Sequence, residues 1–434
     1  FGNNNLSTIN QSGDNTVADV SSFGDNNVVT VNQEGNFSNA VVTQTGDRNT
    51  ASIVRQSADG TGDANPPGAP VEPDVFADAF VNQAGDDNKA SITQDAVPVF
   101  ASITQSGDRN DSSIVQTGTA AGASATTLQT SDDNTSRITQ SGGATASVTQ
   151  TGGINTLGPR EWDGASFPPP PALGSGGTAY RNNVSLINQS ADGASATVNQ
   201  DGTLNRSAIT QSAEASANVF QSGVYNTSII GQSGTGEAFV DQSGAHARNA
   251  SLIEQSGSDS FASVTQIGAN LAPPPNAPTN ESFVLQSGSF NGATVLQTGD
   301  ENLSRVTQSG NRTDADVDQN GTNLVSNVTQ TGTLNGASVT QTGNDNASSI
   351  LQSATVLSGA IVNQSGTGQR STIVQSPIGG HQANVAQSGT DNTSFVSQSG
   401  LANQAGSFVD ETDVGVRQAG TNGRSDIVQT GGFQ

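Results

Sequence analysis

Few side chains in this sequence could carry chemistry, and they are thinly spread. It has two histidines, His246 and His381, and no cysteine. Both histidines read as solvated loop residues near turns rather than as bases or ligands. Aspartates recur in the turns, at Asp14, Asp25, Asp47, Asp86, Asp108, Asp300 and Asp391. Stacked at regular spacing, such carboxylates could collect calcium. The plainer reading makes them gatekeepers whose repulsion resists premature or lateral association. The single tryptophan, Trp162, stands near a run of four prolines and reads as loop packing rather than as an adhesive platform. Neither a phosphate-binding Walker loop nor a Gly-x-Ser-x-Gly elbow is present, and without cysteine there is no thiol nucleophile or Cys-based zinc site. No catalytic residue and no cofactor is expected, calcium excepted.

The elements that would position these side chains repeat along the chain. Glutamines recur at a usual step of about eleven residues, among them Gln33, Gln44, Gln94, Gln105, Gln116, Gln308, Gln319, Gln330, Gln341 and Gln352. Ser22 fills one slot where glutamine is missing. Two residues before the glutamine stands Ile or Val, as at Ile92, Ile103, Ile114, Val306, Val317, Val328, Val339 and Ile350. Four before it is a small residue such as Ala101 or Ser112, and two after it is usually glycine. This is period-2 alternation, β-branched and closed by a turn signal, so each unit predicts a short strand.

A longer period lies inside the first. Asparagine stands five residues after alternate glutamine slots, at Asn27, Asn49, Asn88, Asn110, Asn134, Asn155, Asn205, Asn226, Asn302, Asn346 and Asn392. The repeat is therefore ~22 residues, two strands and two different turns, written roughly seventeen times. All 15 prolines fall outside the strands, as a hydrogen-bonded ladder requires. Insertions at approximately 57–80, 151–183, 267–281 and 399–413 interrupt the repeat without shifting its phase, so 1–434 reads as a single domain. A degenerate strand is expected around Ser407–Glu411.

The expected fold is all-β: an uncapped β-solenoid whose strand-turn-strand rungs stack about 4.8 Å apart into two facing parallel sheets. The composition is only 31% hydrophobic and 4% aromatic, too poor for an ordinary core. Buried Ile and Val at ~1.5–3 kcal/mol each, with continuous strand hydrogen bonding, offset that poverty. Stacked in register, each primary amide donates to one neighbouring rung and accepts from the other. The columns also pin the register, because a one-residue slip would bury Thr and expose Ile. The first and last strands obey the motif with no capping helix, which predicts ends able to template another chain.

The formal net charge of −24 argues against nucleic acid or anionic membrane as a partner. No apolar run reaches the ~20 residues of a spanning helix, so no membrane insertion is expected. The opening FGNNN reads as a mature form. Three functions compete: a homopolymer built head to tail, a monomeric solenoid adhesin or ligand-binding surface, and a solenoid enzyme. The last lacks the clustered acids or ligands it would need. Assembly of so acidic a chain is expected to require salt at neutral pH.

The segment Gln105-Ser-Gly107-Asp-Arg-Asn110-Asp-Ser112-Ser-Ile-Val-Gln116 resembles the curlin repeat of bacterial curli. The resemblance covers nearly the whole chain outside the insertions. It implies a secreted structural subunit of an extracellular functional amyloid fibre in the biofilm matrix, serving adhesion and surface colonisation. It also implies export through an outer-membrane secretion pore and polymerisation on a minor nucleator subunit. The chain departs from the family in carrying Asp, Arg or Leu where curlin repeats have a second glycine before the asparagine, in having more repeats, and in its proline-rich loops.

Overall fold

The computed structural model describes residues 2–34, 38–54, 77–95, 98–118, 122–152, 183–244, 248–268, 280–353, 357–376, 380–400, 404–405 and 416–430. Their contacts divide the chain into two compact units, 1–220 and 221–434. The described residues form strands and turns and no helix.

In the first unit, strands alternate between two parallel sheets. One sheet stacks Leu6–Ser12, Val28–Glu34, Thr50–Val54, Lys89–Asp95, Asp111–Thr117, Thr135–Gln140, Val184–Gln189 and Arg206–Gln211. The other stacks Val17–Phe23, Ser38–Thr45, Ala77–Ala84, Val99–Ser106, Ala123–Gln129, Thr145–Thr151 and Ser195–Thr203. The second unit repeats this alternation. One sheet runs from Thr227–Gln232 through Asn302–Gln308 to Arg424–Thr430. Its partner runs from Gly236–Ser243 through Asp314–Thr322 to Val416–Thr421. The architecture is a β-solenoid of two stacked parallel sheets.

Register follows the sequence motif. Gln83 lies beside Gln105, Ile103 beside Val81, and Ala101 beside Ala79. Alternation then sends the small residue, the aliphatic and the glutamine inward and Ser, Thr or Asn outward, which is the only pairing that keeps the β-branched set dry. Ile92, Ile103, Ile114, Val306, Val317, Val328, Val339 and Ile350 are all buried, as are the ten glutamines of the expected column.

The insertions are shorter than the sequence suggests, because strands extend into them. Residues 77–80 belong to Ala77–Ala84, residue 151 ends Thr145–Thr151, and residues 267–268 end Ser260–Gly268. Residues 280–281 open Asn280–Gln286. The two-residue strand Gln404–Ala405 pairs with Gln382 and Ala383 inside the expected 399–413 loop. The strand expected at Ser407–Glu411 lies outside the described residues, as do Asn155, Trp162 and His246.

Candidate functional site

The functional candidate is the set of side-chain columns that binds rung to rung. Each glutamine performs two tasks. Its Nε2 donates to Oε1 of the glutamine one rung further along: Gln83 to Gln105 at 2.9 Å, Gln105 to Gln129 at 2.9 Å, and Gln297 to Gln319 to Gln341 at 2.9 Å each. The second Nε2 hydrogen crosses to the facing sheet, from Gln105 to the Lys89 carbonyl at 2.9 Å and from Gln319 to the Leu303 carbonyl at 3.1 Å. A backbone carbonyl only accepts, so this crossing bond fixes which amide atom is nitrogen and therefore which way each column points. Gln33, Gln44, Gln94, Gln116, Gln308, Gln330, Gln341 and Gln352 make the same crossing bond. Ser22 keeps the column going, its Oγ donating to Gln44 Oε1 at 3.1 Å.

The asparagine column works differently from the amide-to-amide ladder expected of it. Asn27 Oδ1 accepts the backbone N–H of Asn49 at 2.9 Å, while Asn27 Nδ2 donates to the Gly46 carbonyl at 2.7 Å. Asn49 and Asn88 repeat both bonds toward the next rung. Asparagine is one methylene shorter than glutamine and sits at a corner, where turn backbone is its usual partner; amide-to-amide bonds occur in the second unit, from Asn249 to Asn226 at 3.2 Å and from Asn280 to Asn249 at 3.1 Å. The column runs through Asn110, Asn134, Asn183 and Asn205. In the second unit, Asn226, Asn249, Asn280, Asn302, Asn346 and Asn392 occupy the position. Leu324 interrupts this column, its backbone N–H still held by Asn302, and Gln369 substitutes for asparagine. Asn183 and Asn280 escape the five-residue rule because an insertion separates each from its preceding glutamine.

Glycine matters at the same corner. Gly85 has φ of +106°, and a Cβ there would stand 2.3 Å from the Gly107 carbonyl oxygen of the next rung. The residue before several of these asparagines is also left-handed, with φ near +58° at Arg48, Asp87 and Arg109 and +59° at Leu204. A second glycine would be unstrained at these positions, which is the physical content of this chain's departure from the curlin pattern.

The turn aspartates do not form one ladder. Asp25, Asp47, Asp86 and Asp108 do stack, and Asp132 continues them. Each Oδ1 accepts the backbone N–H of the preceding rung, as from Asp25 to Asp47 at 2.7 Å and from Asp86 to Asp108 at 2.8 Å. Beside them, Arg48 grips Asp87 in a two-pronged bond of 2.7 and 2.9 Å, and Arg109 grips Asp133 likewise. The Arg48 hydrogen bond holds the Asp87 carboxyl below its usual range, and both arginines are raised in return. Asp14 lies at the opposite corner, Asp300 ends a strand in register with Thr322, and Asp391 occupies the left-handed position. Among the described residues no three His, Asp or Glu side chains gather as metal ligands.

His381 departs from its expected solvated position. It is fully buried at the second corner of its rung, its carbonyl accepting the Gly359 N–H at 2.8 Å. The neighbouring glycines and Pro377 make the local sequence read as loop, yet His381 continues a column formed by Asn291, Thr313, Asn335 and Ser358.

Comparison with known proteins agrees with the geometry. The model of the curlin associated repeat matches residues 2–35, 24–54 and 279–310. These stretches of the chain are curlin associated repeats. No curated protein sequence matches it. Curlin repeats on a β-solenoid fit a curli-like structural or adhesin role.

Proposed function

We propose that this chain is the structural subunit of an extracellular, curli-like functional amyloid fibre, polymerising head to tail by strand stacking within a biofilm matrix. One observation carries the reading: the glutamine columns run in register from rung to rung, each Nε2 donating to the glutamine of the next, as from Gln83 to Gln105 to Gln129 and from Gln297 to Gln319 to Gln341. A rung of a second copy set in the same register would continue both the columns and the core. In-register amide columns on parallel strands are what template such addition.

Export through an outer-membrane pore and initiation on a minor nucleator belong to the same proposal, and the turn carboxylates act in it as gatekeepers against lateral association. Electron microscopy of the purified chain, with diffraction along the filament axis, tests it. Filaments with a ~4.8 Å axial spacing support the fibre. Discrete rods that never elongate would sink it in favour of a monomeric adhesin. With a net charge of −24, elongation at neutral pH is expected to accelerate with salt, since screening shortens the reach of copy-to-copy repulsion. Equal rates in low and high salt would exclude charge as the brake.

A further inference from the structure

The two sheets treat the inward position four residues before the glutamine differently. In the second unit one sheet places alanine there, as at Ala293, Ala315 and Ala360. The other places serine in every rung from Ser228 to Ser394, including Ser251, Ser282, Ser304, Ser326 and Ser348. These serines are buried to within 3% exposure, and their Oγ atoms have no hydrogen-bond partner among the described residues. In the first unit the same row is broken by Val29, Ala51 and Ala90. The fold therefore accepts an apolar side chain here, and a hydroxyl buried without a partner is unfavourable. Repeating serine rung after rung calls for a ligand that both donates and accepts.

We infer that this serine row binds a file of water molecules inside the second unit, one between each pair of successive hydroxyls. Rungs about 4.8 Å apart allow a water about 2.8 Å from both Oγ atoms, with an angle of roughly 118° at its oxygen. The facing glutamine supplies a third bond. Gln297 reaches the Glu281 carbonyl beside Ser282, Gln319 the Leu303 carbonyl beside Ser304, and Gln341 the Val325 carbonyl beside Ser326. Each of these Oε1 atoms accepts one hydrogen from the preceding glutamine and keeps a second lone pair. Three polar partners are typical of a buried water.

The test is a density map of the full chain at a resolution that shows ordered solvent. A peak is expected between successive hydroxyls from Ser282 to Ser371, with none beside Ala51 and Ala90. A serine row without such peaks overturns the inference, whatever the stability data show. Chemical denaturation of Ser326→Ala in the full chain gives a second readout, on a substitution that Ala51 and Ala90 show the fold accepts. Two waters would each lose a partner, so the midpoint is expected to fall. A dry row would instead lose an orphan hydroxyl, and a raised midpoint overturns the proposal.

Discussion

The two units solve one stacking problem with different side chains. At the corner that opens the second sheet, the first unit follows Ser38 with an apolar column: Ala77, Val99, Ala123, Ala144, Ala194 and Ala215, all buried. The second unit runs a polar column there, through Ser260, Asn291, Thr313, Asn335, Ser358 and His381. Asn291 Oδ1 accepts both the N–H and the hydroxyl of Thr313, and Asn335 Oδ1 accepts the Ser358 N–H at 3.2 Å. Charge is divided the other way. The Arg48–Asp87 and Arg109–Asp133 clasps with their aspartate column lie in the first unit, whereas the matching turns of the second carry mostly Thr, Asn and Gly, with Asn323 bonding Asp345 at 2.6 Å. The aliphatic and glutamine columns are common to both, so those columns specify the solenoid and the corners are free to vary.

The largest effects should therefore be the same in both units. Gly85→Ala places a methyl against the Gly107 carbonyl at a left-handed position, and is expected to cost more than ~3 kcal/mol. Gln105→Leu and Gln319→Leu each strand one neighbouring donor, one neighbouring acceptor and a facing carbonyl, so each should cost about 2–4 kcal/mol. Denaturation midpoints check both, and a clear difference between the two leucine variants would break the comparison.

Corner exchange should sharpen it. Asn335→Ala releases the Ser358 N–H and should cost about 1–2 kcal/mol. Val99→Asn sets an amide between Ala77 and Ala123 and should cost about 1–3 kcal/mol. An asparagine tolerated at position 99 would show that the first unit's corner is not selected for dryness.

Acid should separate the units by sign. In the first, the Asp87 pKa lies below its ordinary 3.8. Its contribution holds above that value and fades as pH falls through the lowered one. In the second, burial raises Asp314, aided by Asp316, and also Glu281. Raised carboxyls favour the protonated fold, so their penalty grows as pH climbs from 3.8 or 4.5 through the shifted values. Amide protection, taken relative to the intrinsic exchange rate at each pH, should thus rise from pH 7 to about 4 across Asn280–Gln286 and Asp314–Thr322 while that of Thr50–Val54 holds steady.

Smaller effects belong at the turns. Leu204→Gly, relieving a left-handed leucine, should stabilise by about 1 kcal/mol. Arg48→Ala, at a solvent-exposed pair, should change stability less than that. Thermal melts resolve the order of these two.

Much of this was legible because a solenoid writes its core once per rung. Strand positions, the Ile and Val stripe and the glutamine column all follow from spacing. The corners did not, since a column can change from Val99 to Thr313 to His381 without disturbing period or register. Asn183 and Asn280 were hidden by insertions that move them away from their glutamines. Which sheet takes serine and which alanine was present in the alternation of Ala101 with Ser112, but its meaning needed the burial of both. The asparagine bonds to turn backbone depended on corner geometry that no spacing encodes.

The one-way amides have a further consequence. Within each unit every described glutamine donor in a column leans toward higher residue numbers, so the side-chain dipoles add instead of cancelling. Peptide dipoles of about 3.5 D sum along an α-helix, but a parallel sheet offers its backbone little of that kind. Here the side chains supply it. Each unit is a small electret, and a dilute suspension should turn in an applied field and show electric birefringence that Gln→Leu substitutions along one column diminish step by step.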